Sequence, residues 1–140
     1  MEEMKLNELT PRSMYTGHYV AVGKLELEDD YEDGPLLCPY CGGNNLHQTD
    51  LQVFPRDEDS VSQYVAIKNM ATDNPKVIIQ EDNSGQDENP SGRRQGILLS
   101  FECESNFSEE GVFHQNPLLA IYQHKGCTFM NWVEKVPEKK

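Results

Sequence analysis

Cys38-Pro39-Tyr40-Cys41-Gly42-Gly43 is the stretch on which the reading of the fold turns. Two thiols stand three positions apart, with Pro between them and two glycines behind. A tight turn there aims both sulfurs at one point. The backbone after Cys41 then enters φ/ψ space that glycine reaches at little steric cost. This C-x₂-C spacing is the first half of a zinc site. Two thiolates satisfy half of a tetrahedral ion, so the chain has to supply further donors.

Two other uses of C-x-x-C compete with metal. A redox pair opens a helix whose N-terminus lowers a thiol pKa. Gly42-Gly43-Asn44-Asn45 is a poor helix start, and no βαβ pattern surrounds it. A disulfide framework belongs to secreted chains, and the first residues lack the apolar segment of a signal peptide. Metal is the favoured reading, Zn2+ the expected ion, and a reducing cytoplasm the expected location.

The 140 residues suit one domain, 1–140. Only 36% are hydrophobic, so the core should be small and a metal should matter to its stability. No apolar run approaches the ~20 residues of a membrane span. Net charge is −12, and 18 of the 24 carboxylates fall in residues 1–92. Such a chain is repelled by nucleic acid as a whole. It can instead meet a basic groove on another protein, or simply gain solubility.

Strand signals recur along the chain and no helix-length apolar period does. Tyr15 to Leu27 reads as a strand with Gly23 as a bulge, and residues 45–54 as another. Residues 61–80 read as an inserted hairpin turning at Asn69 to Pro75. Residues 97–103, 118–122 and 128–133 complete the set. Between them lie acidic or polar loops, 26–33, 81–92 and 104–117. Residues 1–13, 26–34 and 135–140 are expected to be flexible. The expectation is an all-β, zinc-ribbon-like antiparallel sheet with long acidic loops.

Strand 97–103 runs into Cys103, which makes Cys103 the third expected ligand. A second knuckle would carry Cys at 106, where Asn106 stands. If strands 97–103 and 118–124 pair with Cys103 near Leu118, His124 lies about 20 Å away, too far to bind. Cys127 is further still. His114 in the adjoining loop is the preferred fourth ligand, with His47 or another donor remaining open. Cys38, Cys41, Cys103 and His114 would make a closed, structural site rather than a catalytic one.

At the opposite end of the same strand pair, Arg93, Arg94, His124 and Lys125 are expected to form a basic patch, with Trp132 or Phe129 nearby. It could bind phosphate, a carboxylate or an acidic loop of a partner. It could equally neutralise the acidic loops 26–33 and 81–88 of its own chain.

The order C-P-Y-C-G-G-x-x-L-H from Cys38, N-P-S-G-R-R-x-G from Asn89, a strand ending in Cys103, and Q-H-K-G-x-T-F-x-x-W from Gln123 resembles small uncharacterised bacterial and phage proteins with a zinc-ribbon core. The resemblance implies a β-rich zinc-binding protein and no particular activity.

No Ser-His-Asp order, phosphate loop or H-E-x-x-H occurs. The leading expectation is a non-enzymatic adaptor or inhibitor that binds another protein. One form is a phage-encoded acidic antagonist that mimics nucleic-acid charge. The alternative is a zinc-ribbon nucleic-acid-binding or transcription accessory protein using the basic patch. An enzyme with His124 as general base is the third.

Overall fold

The computed structural model describes residues 12–13, 18–28, 34–107 and 114–136. Their regular structure is almost entirely strand: β1 (Arg12–Ser13), β2 (Tyr19–Gly23), β3 (Leu46–Phe54), β4 (Tyr64–Lys68), β5 (Lys76–Gln80), β6 (Gly96–Cys103), β7 (Leu118–His124) and β8 (Cys127–Lys135). Two short 3-10 turns, Asn83–Gly85 and Glu104–Phe107, are the other elements. All pairings are antiparallel, in one open sheet of order β1-β2-β8-β7-β6-β3-β4-β5.

Local chemistry explains several joints. Lys125 and Gly126 both have positive φ, 52° and 79°, so β7 and β8 are joined by a two-residue turn whose twist matches its strands. The register of β2 on β8 slips between Ala21 and Gly23, which puts the expected bulge at Gly23. The expected hairpin over 61–80 forms as β4 and β5, with Ala66 opposite Ile78.

The larger core lies on one face of the sheet. It gathers Tyr19, Phe54, Leu98, Ala120, Tyr122 and Val133. Residues 81–95 close over it. Asn89 is fully buried, donating from Nδ2 to Ser62 Oγ (3.1 Å) and to the Arg94 carbonyl (2.9 Å), while its Oδ1 accepts the Ser91 N–H (2.9 Å). Tyr19 donates its hydroxyl to the Glu88 carbonyl at 2.6 Å. The polar loop expected over 81–92 is therefore a fixed lid, because its one buried amide satisfies three partners at once. A smaller core of Phe101, Leu119 and Trp132 sits on the opposite face, under Val22, Leu25 and Leu36.

Two placements differ from the sequence reading. β6 and β7 pair with Ser100 opposite Leu118, not Cys103, so Cys103 overhangs β7 by three residues. Trp132 packs edge-on against Phe101 in the smaller core and is not beside the expected basic patch, while Phe129 stacks on Tyr122, two residues from His124 and at the patch end of the sheet. At the chain's two ends, Arg12 and Ser13 pair with Ala21 and Val20, and Lys135 closes β8 opposite Tyr19. In the acidic run, Leu27 bridges Leu36 and the Glu28 N–H donates to the Pro35 carbonyl. Residues 1–11, 14–17, 29–33, 108–113 and 137–140, and the expectations that fall on them, lie outside the described residues.

Candidate metal centre

Three segments converge at one end of the sheet. The knuckle is closed by its own backbone: the Cys38 N–H donates to the Gly43 carbonyl (2.8 Å) and the Gly42 N–H to the Cys38 carbonyl (2.9 Å). Gly42 takes φ of +76°, the conformation the double glycine was expected to provide. Cys103 ends β6 directly opposite Leu46, the first residue of β3. The Glu104 N–H then donates to the Asn45 carbonyl, so knuckle and strand end are tied (3.1 Å). His114 enters just before β7, beside the overhang left by the register of β6 on β7.

Together these segments gather Cys38, Cys41, Cys103 and His114, whose donor atoms all lie within 4.8 Å of one another. Cys41 Sγ is 3.5 Å from Cys103 Sγ, and Cys38 Sγ is 3.6 Å from His114 Nε2. All four cysteines are free thiols. One metal ion can be held by this set.

The surroundings orient the donors. His114 Nδ1 lies 2.7 Å from the Gln115 carbonyl, which can only accept, so Nδ1 carries the proton and Nε2 turns its lone pair to the sulfurs. Asn106 Oδ1 accepts the His114 backbone N–H at 3.0 Å. The Tyr40 and Gly43 N–H groups point at Cys38 Sγ and Cys41 Sγ, each at 3.4 Å. Tyr40 donates to Glu134 Oε2 (2.7 Å), and its ring lies 5.2 Å from the His114 imidazole. Gln115 Nε2 reaches both Tyr40 Oη and Glu134.

These contacts split the thiols. Burial pushes the Cys38 thiol up to about 11. Burial also opposes ionisation of Cys41, but hydrogen bonds from Ser105 and the Gly43 N–H outweigh it and bring that thiol down to about 6. The Gln115 carbonyl raises the His114 pKa.

Sequence reasoning missed Ser105. Its hydroxyl lies 3.1 Å from Cys103 Sγ, 3.4 Å from Cys41 Sγ and 3.3 Å from His114 Nε2. A small hydroxyl two residues past Cys103 was the only signal, and it is a common one. His47, the other imidazole left open, instead pairs with Glu104 at 2.6 Å on the surface.

Comparison with family models, curated proteins and solved structures gives no match.

The four expected patch residues do lie towards one end of the sheet, away from the metal end. Arg94 leads into β6, and Gly96 pairs with Tyr122 two residues before His124. The arginines are engaged within the chain. Arg93 holds Asp59 through Nε (2.8 Å) and Nη2 (2.5 Å), and Arg94 holds Glu58 at 2.8 Å. Among the described residues, their acidic partners come from the 57–59 turn, not from the expected loops. Among the described residues no helix is long and apolar enough to cross a membrane.

Proposed function

We propose that this protein is a non-enzymatic binding module in which Zn2+ on Cys38, Cys41, Cys103 and His114 fixes a thin β sheet. The observation that carries this reading is the closeness of the four donors. Zn–S bonds near 2.3 Å set tetrahedral edges of about 3.8 Å, close to the 3.5 and 3.6 Å separations within the cluster. Three sulfurs and one imidazole fill a four-coordinate ion and leave no position for a reacting water, which favours a structural ion over a catalytic one. Thiolate ligands fit a reducing cytoplasm.

Binding would then fall to the acidic surface. The net charge of −12 favours a basic partner. With Arg93 and Arg94 paired to Asp59 and Glu58, a nucleic-acid interface built on them has less to offer. An antagonist that occupies the nucleic-acid groove of a host nuclease or polymerase, as a phage-encoded inhibitor would, fits this charge.

The test is capture on the zinc-loaded protein followed by challenge with salt and duplex DNA. A nucleic-acid-handling partner released by both supports the reading. A complex indifferent to salt and to DNA, or no complex, contradicts it.

A further inference from the structure

The sheet carries a second apolar face that neither core explains. Cross-strand register aligns one row over six strands: Ile79, Val65, Val53, Ile97, Ile121 and Met130. The adjacent row runs Val77, Ile67, Leu51, Leu99, Leu119 and Trp132. Twelve neighbouring positions are thus apolar without one charge or hydrogen-bonding group save the Trp132 indole N–H. The charged residues of β3 to β5, Asp50, Lys68 and Lys76, alternate onto the other face.

Among the described residues, only one corner of this surface is packed by a core. Leu99, Leu119 and Trp132 belong to the smaller core or pack on it. None of the six residues of the first row joins either core, nor do Val77, Ile67 and Leu51. Val77 is 61% exposed, Ile79 64% and Met130 46%, while Ala66, Leu98 and Ala120 on the opposite face are at 0–1%. An antiparallel sheet that keeps one face in water alternates apolar with polar residues. These strands place apolar side chains on both faces.

We propose that this face is the interface of a two-fold dimer, with a second copy of the chain as its occupant. The inference stands apart from the proposed function. The face offers nothing to a basic partner, because it carries no negative charge. A neutral, unbroken apolar surface is complementary to itself, as two-fold interfaces require. Two such sheets stacked about 10 Å apart form a sandwich whose shared interior is the two double rows. The nine positions left uncovered, at about 4.8 Å across strands and about 7 Å between rows, span roughly 300 Å². That is rather more than a third of one partner's share in a standard interface, and forms its apolar centre, to which a polar rim is added. Gln48, Gln123 and Thr128 stand at that rim.

The experiment is sedimentation of the full, zinc-loaded chain across a concentration series at low and high salt. The dimer should form as concentration rises and should tighten with salt, because screening relieves repulsion between two chains of −12. The proposed partner complex responds to salt in the opposite sense, so the two ideas fail separately. Ile67→Lys should weaken the dimer more than tenfold, since each copy carries the change. Val77→Lys, at a more exposed edge position, gives the same readout if Ile67→Lys does not fold. A wild-type chain that stays monomeric at every concentration overturns the proposal. If that monomer binds an apolar dye the face belongs to another partner; if it does not, other residues of the chain cover it. A dimer that survives both substitutions also overturns it.

Discussion

Asn106 Oδ1 accepts the backbone N–H of His114, eight residues on, at 3.0 Å. Asn106 stands where a second knuckle would carry its fourth thiol. Its side chain holds the residue that can bind an ion rather than binding one itself. The Gln115 carbonyl then sets the imidazole tautomer, so backbone and ring are fixed by different partners.

Replacing Asn106 should therefore weaken metal binding without removing a ligand. Asn106→Ala is expected to lower affinity about tenfold, at the low end of the effect of ligand-orienting partners. Asn106→Asp keeps the acceptor and should recover most of it. Competition with a chromogenic chelator measures both. Equal affinity in wild type and Asn106→Ala would show that His114 is placed by other contacts.

Asn89 makes a separate prediction, about the fold. Its side chain is fully buried and bonded to Ser62, Ser91 and Arg94. Gly96 must lie bare beneath it, because a Cβ there would meet Asn89 Oδ1 at 2.4 Å. Asn89→Ala leaves buried backbone groups without partners and should cost about 2–4 kcal/mol. Denaturant unfolding of the zinc-loaded protein checks this. A loss well under 1 kcal/mol would mean the 81–95 lid is held by other contacts.

The knuckle, Cys103 and His114 were legible because their argument is local. A C-x₂-C turn followed by glycine has few other uses, and a loop imidazole next to a strand-end thiol needs only to bend inward. The 61–80 hairpin was legible for the same reason, since its turn and alternation lie side by side. Register was not. The slip between Gln48 and Asp50 and the three-residue overhang of Cys103 depend on how distant strands pack, which no short window encodes. The partners of Arg93 and Arg94 were missed similarly. Three acidic runs were available to them, and only the folded chain brings Glu58 and Asp59 across. The lid escaped notice because a polar composition hid one well-satisfied amide.

The Arg93–Asp59 pair gives a pH prediction whose sign is fixed. Arg93 hydrogen bonds hold the Asp59 carboxyl below its ordinary 3.8. A carboxyl lowered in the folded state contributes stability above its unfolded pKa and loses it as pH falls through the folded value. The window therefore lies below 3.8. The pair is exposed, so its effect at neutral pH is small. Carboxyl titration by NMR should show Asp59 returning to the ordinary range in Arg93→Ala. An unchanged midpoint would mean that the pair does not persist in solution.

The central claim is that one metal ion joins Cys38 and Cys41 to Cys103 and His114. Native mass spectrometry of the purified chain, before and after a strong chelator, tests it most directly. The account predicts one zinc per chain, removed only with loss of the cooperative fold, and no stoichiometric zinc in Cys103→Ala. A wild-type chain that carries no metal when purified and refolded with zinc present, and that keeps its stability in chelator, would contradict it.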